Sequence, residues 1–337
     1  MSIKPTINYK KLNKKLRKTL QVYQKTESYN FMYAEFATRT DAQIVNNQWT
    51  WMELDVEKDK QDFLVSMTPA EQNVTVNFLK VFLKYEIING DNYWSGRFIQ
   101  MFPRPEFRRK AAWNAHQEDN MHGPFYNELN RILGKNTDEF YSSWQETPAL
   151  KIRVDNIGKL LAHPLDLISL AGFNFLEGGI LYSTFGFFKH YQQGGKNLLN
   201  VVVRGIDFSI LDENNHARDS ALAFNIVVRE GIEAGILTPA ILNEIYAEIY
   251  RMAVEFRETE LDILNSVWGE EIIEGVTKNQ LINFVSHQLN DCLILMNLKP
   301  LFKISDKTIV EWFPRAALLR QDNDPFQGQS REYNTGL

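Results

Sequence analysis

The sequence predicts an all-α protein, a bundle of long helices around one core. Three observations point that way. Gly and Pro are sparse, 18 and 11 of 337 residues, so long stretches carry no turn punctuation. Hydrophobic residues reach 44% and aromatics 12%, enough to fill a large buried core. Helix-start chemistry is explicit in Thr68-Pro69-Ala70-Glu71, with Thr as N-cap, Pro in the first turn and Glu three residues after the Thr.

Taken in order, a short helix is expected over 28–40. The helix opened by Thr68 runs to about Phe102, where Pro103 and Pro105 break it. The next runs from about Glu106 toward His122, and Phe125 to Leu133 continues or restarts it. Pro164 precedes an apolar helix over 166–189, and Gly194-Gly195 is a turn. Long helices follow over about 196–230, 239–268 and 277–298. No linker divides residues 28–315, and there is no fixed-period repeat. The expected organisation is a basic N-terminal arm over 1–27, one helical domain over 28–319, and a flexible C-terminal tail over 320–337 that has little to bury.

The net charge of −5 argues against a nucleic-acid surface spread over the whole protein. Lys4 to Lys18 is a local exception, with seven Lys or Arg and with Leu12, Leu16 and Leu20 at four-residue steps. It reads as a solvated basic helix or arm. The N-terminus has no apolar core of a secretory signal. The single cysteine, Cys292, cannot form an internal disulfide and lies in an apolar helical pattern, which fits a reducing compartment and a cytoplasmic location. Leu167 to Phe188 is long enough to span a bilayer, but Glu177 near its middle would cost about 2.5–3.5 kcal/mol there. The stretch reads instead as the central helix of a large core, with no membrane association. Glu177 then needs a positive charge or a metal beside it.

Two acidic-x-x-His segments lie on different helices, Asp119-Asn120-Met121-His122 and Glu213-Asn214-Asn215-His216. Three residues advance about 300° around an α-helix, so each pair projects from one face. Glu86 in LKVFLKYEIING and Glu177 in FNFLEGGIL each sit amid apolar neighbours. Carboxylates and histidines from four helices, in this order, make the dinuclear site of ferritin-like bundles. Carboxylates bridge two divalent ions and neutralise their charge, and imidazoles complete each shell while leaving room for an oxidant. Glu118 is a rival for Asp119, four residues from His122 on nearly the same face.

The order and spacings resemble those of class I ribonucleotide reductase small subunits, over roughly residues 28–300. The resemblance implies a ferritin-like bundle with additional helices and a dinuclear metal centre, Fe/Fe first, with Mn/Fe or Mn/Mn as alternatives. One ion would take Glu86, Asp119 and His122, the other Glu177, Glu213 and His216; the family spacing favours Asp119 over Glu118. The family usually has Asp then Glu at the first two positions, and this chain reverses them.

The resemblance also implies a radical apparatus. Tyr126 stands four residues after His122, at the place of the family's oxidisable tyrosine, and Phe185 matches an apolar position that shields it. Gly123-Pro124 intervenes, a combination that ends or kinks helices. Asp212 precedes Glu213 as in the family's motif, and Trp49 opens WTWMELDVEKD, implying a chain from Trp49 through Asp212 to His122, with Trp51 as the competing indole. Leu211 and Ser209 depart from the usual Arg and apolar residue. In the tail, Tyr333 matches an electron-relay tyrosine. The implied protein is a homodimer that generates a radical and docks its tail on a large subunit, which reduces ribonucleotides to deoxyribonucleotides. Two other functions share the ligand set: a ferritin-like dimetal oxygenase or ligand-binding oxidase, and an iron-storage bundle.

Overall fold

The computed structural model describes residues 7–318, with side chains described through 313. Ten helical elements matter here. They are α1 (Tyr9–Thr19), α2 (Ala34–Asn46), α3 (69–101), α4 (105–132), α5 (Pro148–Leu161), α6 (166–189), α7 (Asn200–Glu233), α8 (Pro239–Trp268), α9 (Lys278–Leu295) and α10 (Thr308–Leu318). Among the described residues no strand occurs, as sparse Gly and Pro led us to expect, and the helices form the ferritin-like architecture that the resemblance implied.

The apolar helix α6 is the axis. Every residue from 165 to 191 is buried, and α7, α8 and α9 enclose it. Among the described residues no helix is long and apolar enough to cross a membrane. Close approach needs small residues. A Cβ on Gly178 of α6 would lie 2.7 Å from Ala217 Cβ on α7 and 2.8 Å from Cys292 Sγ on α9. Cys292 is a buried core thiol whose Sγ donates to the Asn174 carbonyl. The Thr68–Glu71 capping box forms as expected.

Three elements differ from the sequence expectation. The basic segment is not a free arm. In α1, Leu12 and Leu16 are buried, and Arg17 binds Asp166 at the start of α6 at 2.7 Å. The short helix begins at Ala34 rather than near Ser28, because Tyr33 is tied down first. Its backbone N–H donates to Glu106 at 3.2 Å and its hydroxyl to Glu230. Helix α5, absent from the sequence reading, starts at Pro148 in its first turn and buries Ala149, Leu150 and Ile157. The tail over 320–337, with Tyr333, lies outside the described residues.

A polar seam runs between α4 and α7 through an otherwise apolar interior. Lys110, Asn114 and Gln117 line it from α4, and Asp212, His216 and Asp219 from α7, all buried. These positions recur at i, i+4 and i+7 on each helix, so one face of each meets the other. Asp219 accepts from Lys110 at 2.8 Å, from Arg39 at 2.9 Å and from Asn114 at 3.3 Å. Charges this deep persist because they are paired.

Candidate metal centre

Helices α3, α4, α6 and α7 converge on one buried cluster, and three of them widen there. Helix α3, interrupted by a turn at Leu83-Lys84, passes into a π-helical stretch, Ile88–Phe98, two residues after Glu86. Helix α4 has a π-turn at Glu118–His122, and α6 has one at Leu176–Ile180 around Glu177. Helix α7 is α-helical throughout. In a π-turn the backbone hydrogen bond closes from i to i+5, so a turn takes more than four residues. A residue four back from a histidine then shares its face, and one three back does not.

That geometry brings Glu118 rather than Asp119 into the cluster. Glu118, not Asp119, points with His122 into the core. Glu118 is fully buried, whereas Asp119 is exposed at the rim against Gly90. The wide turn also answers Gly123-Pro124. The Gly123 N–H bonds to the Glu118 carbonyl, five residues back, and the helix continues through Pro124 to Ile132. On α7, where three residues still span 300°, Glu213 and His216 share a face as expected.

Two overlapping groups result, Glu86, Glu118, His122 and Glu213, and Glu118, Glu177, Glu213 and His216, whose ligand-type atoms lie within 4.8 Å of one another. His122 Nδ1 lies 3.3 Å from Glu86 Oε2, 3.1 Å from Glu118 Oε2 and 3.4 Å from Glu213 Oε1. His216 Nδ1 lies 3.0 Å from Glu118 Oε1, 3.2 Å from Glu213 Oε2 and 4.0 Å from Glu177 Oε2. Glu118 and Glu213 therefore sit between the two imidazoles. Glu177 is held from outside by Asn89 Nδ2 at 3.0 Å and Trp94 Nε1 at 3.2 Å.

The electrostatics are those of a cluster short of positive charge. Burial pushes the Glu86 carboxyl well up, and the Glu118 charge adds to it. Burial, then Glu213 and Glu118, does the same to Glu177. Burial opposes the ionisation of Glu118, but hydrogen bonds from both histidines overcome it and hold Glu118 low. Burial lowers the His216 imidazole, while hydrogen bonds to Glu118 and Glu213 more than offset this and raise it to about 9. Glu118 Oε1 and Glu213 Oε1 are buried without a well-aligned donor. Four carboxylates carry the charge that two divalent ions would balance, and the set of carboxylate oxygens and imidazole nitrogens suits iron or manganese. The residues fit such a centre.

Trp49 is buried, packed along Phe208 and His122 with ring centroids 5.2 Å and 5.9 Å away. Its Nε1 donates to Asp212 Oδ2 at 2.8 Å, and the same oxygen lies 3.2 Å from His122 Nε2. Trp51 is only half-buried, packed against the core. Tyr126 is buried beside the cluster, and its hydroxyl donates to Ser209 Oγ at 3.4 Å. Ser209, noted in the sequence only as a departure, is thus the phenol's partner. Burial, then the Glu86 charge, raises the Tyr126 hydroxyl far above its ordinary value. The ring over Tyr126 is Phe82 at 4.1 Å; Phe185 stands behind Phe82 at 6.0 Å. Sequence reasoning also missed Asn89, Trp94 and Gln117. Of these, only Gln117 left a signal, as the last member of the i, i+4, i+7 polar stripe on α4.

Fold and site together define a class, the ferritin-like helical proteins with a buried carboxylate and histidine cluster fit for two metal ions. Residues 7–308 match the family of the ribonucleotide reductase small chain, and the protein belongs to that family. Its relatives include a probable ribonucleoside-diphosphate reductase small subunit of Invertebrate iridescent virus 3, 21% identical over 85% of this chain and 78% of the relative. Among solved structures it resembles the dimanganese(II)-NrdF of Streptococcus sanguinis, with TM-score 0.71 and 16% identity over 86% of this chain and 99% of that one. It also resembles the ribonucleotide reductase Rnr4 homodimer of Saccharomyces cerevisiae, with TM-score 0.72 and 14% identity over 93% and 96%.

Proposed function

We propose that this small chain holds two metal ions and generates the oxidising equivalent that a separate large subunit uses to reduce ribonucleotides to deoxyribonucleotides. Convergence of four carboxylates and two histidines in one buried cluster carries the reading. One ion would take Glu86, Glu118 and His122, the other Glu177, Glu213 and His216, with Glu118 and Glu213 shared. Iron in both positions is the first expectation. Manganese in one or both is the alternative, and a dimanganese relative of the same fold supports it. Such a centre, once oxidised, supplies one-electron oxidising power.

The chain's own residues manage that power. The Tyr126 phenol, which would hold the oxidising equivalent, is buried with its hydroxyl donating to Ser209 Oγ, which orients it. Trp49 is the second oxidisable side chain, stacked beside His122. Loss of an electron from its indole makes Nε1–H acidic, and Asp212 Oδ2 at 2.8 Å takes that proton. Asp212 also holds the outer nitrogen of His122, tying Trp49 to the cluster. A homodimer is the assembly this reading implies, supported by the Rnr4 homodimer among similar folds. Tyr333 would relay the radical from the tail to the large subunit.

Anaerobic loading with iron or manganese, followed by metal analysis, tests the reading. Two ions per chain are expected, and Glu213→Ala or His216→Ala should lose at least one. A wild-type protein that stays metal-free sinks it. On oxidation, electron paramagnetic resonance should show a tyrosyl radical that Tyr126→Phe abolishes. An unchanged radical in that variant moves the assignment to another residue.

A further inference from the structure

Gln117 lies one residue before Glu118 on α4, fully buried, and belongs to neither ligand group. Its side-chain amide spans the two halves of the site. Nε2 donates to Asp212 Oδ1, and Oε1 lies 3.1 Å from His216 Nε2. Asp212 Oδ2 accepts from Trp49 and faces His122 Nε2. The outward nitrogens of both histidines therefore end on one hydrogen-bonded chain, His122–Asp212–Gln117–His216.

Chemistry fixes the direction of that chain. The amide nitrogen only donates, and it faces Asp212. The amide oxygen is then left for His216, and His216 must carry its proton on Nε2. Its Nδ1 is the atom that faces inward, toward Glu118 and Glu213. The two histidines are supported unequally, His122 by a carboxylate and His216 by a neutral amide. Outer partners of this kind set ring orientation, tautomer and ligand basicity.

We propose that Gln117 is a positioning residue that fixes the tautomer and orientation of His216 and so sets the affinity of the second ion. The inference rests on the dimetal reading above. Its test is the full chain titrated anaerobically with Mn(II), followed by metal analysis and electron paramagnetic resonance, with thermal unfolding in chelator as a measure of folding. Gln117→Met keeps the volume and the unbranched shape but removes both hydrogen bonds. It should weaken the second ion about 10–100-fold, the usual range for losing an outer partner. The single-ion spectrum that remains should match that of His216→Ala and not that of His122→Ala. Gln117→Glu, entering as the neutral acid with its O–H toward Asp212, still offers His216 an acceptor and should recover most of the lost affinity, which a merely space-filling role does not predict. Should Gln117→Met fail to fold, Gln117→Asn, too short to reach both partners, carries the same expectation. Unchanged loading, equal losses in the Met and Glu variants, or a spectrum matching His122→Ala overturns the assignment. Wild-type protein that binds no metal overturns the dimetal reading, a failure distinct from a wild type and Gln117→Met that both load two ions alike.

Discussion

The two histidines of the cluster are presented by different kinds of helix. His216 pairs with Glu213 three residues back on α7, an α-helix without interruption. His122 pairs with Glu118 four residues back, across a π-turn on α4. Both imidazoles turn Nδ1 to the same carboxylates and Nε2 to the same chain of outer partners. The difference teaches that sequence spacing gives a face only once the kind of turn is known. One more residue between carboxylate and histidine is harmless when the helix widens to absorb it.

The largest effect should separate Glu118 from its neighbour. Because Glu118 reaches both histidines, Glu118→Ala should lose both ions, while Asp119→Ala keeps both; metal analysis after anaerobic loading decides. If Asp119→Ala loses the metal, the asymmetry between the halves is misread.

Stability should respond next. Gly178→Ala drives its new methyl into Ala217 Cβ and Cys292 Sγ, neither free to move far, and overpacking of this kind costs about 1–3 kcal/mol. Gly90→Ala meets the Asp119 carboxylate, which can swing outward, so it should cost less. Urea unfolding of the metal-free proteins measures both. A larger loss at Gly90 would mean that the π-turn is the stiffer half.

A pH effect follows from Asp119, whose carboxyl is pushed up to about 6 by partial burial, then by Asp91 and Glu118. Folding raises this pKa, so its contribution to stability is fully present below the unfolded value near 4 and is lost as pH rises to about 6. Asp119→Asn should stabilise the metal-free protein above pH 6 by about 0.5 kcal/mol, after screening by solvent, and leave it unchanged below pH 4. A stabilisation that grows toward low pH contradicts the sign.

The smallest effect is expected where a residue is removed. Deleting Asp119 leaves Glu118 three residues from His122, the spacing that serves α7. The turn should relax to an α-turn, with two ions still bound and little change in melting temperature. Loss of metal on deletion would show that the extra residue is required.

Most of the architecture was legible because it rests on local signals. The Thr68 capping box, the apolar run of α6 and the ExxH of α7 state their own geometry. The choice between Asp119 and Glu118 was not legible, since no local signal sets a π-turn apart from an α-turn, and Gly123-Pro124 reads as a stop rather than as the place where a widened turn rejoins an α-helix. Helix α5 was hidden because its burial depends on α8 and α6 rather than on a strong stripe of its own. Ser209 looked like an irregularity because its meaning lies across the core, at the Tyr126 hydroxyl.

The widened turns also distribute play unevenly around the cluster. A π-turn holds one residue beyond the helical register, and that surplus can slip along the helix by exchanging one hydrogen bond for its neighbour, without disturbing the helix ends. Glu118 and Glu177 ride on such turns, and Glu86 stands at the mouth of another. Glu213 and His216 have no such slack beneath them. The cluster therefore has a fixed post and three adjustable struts, and a rearrangement of its carboxylates around bound ions would be taken up on the side of α3, α4 and α6 while α7 keeps the reference position.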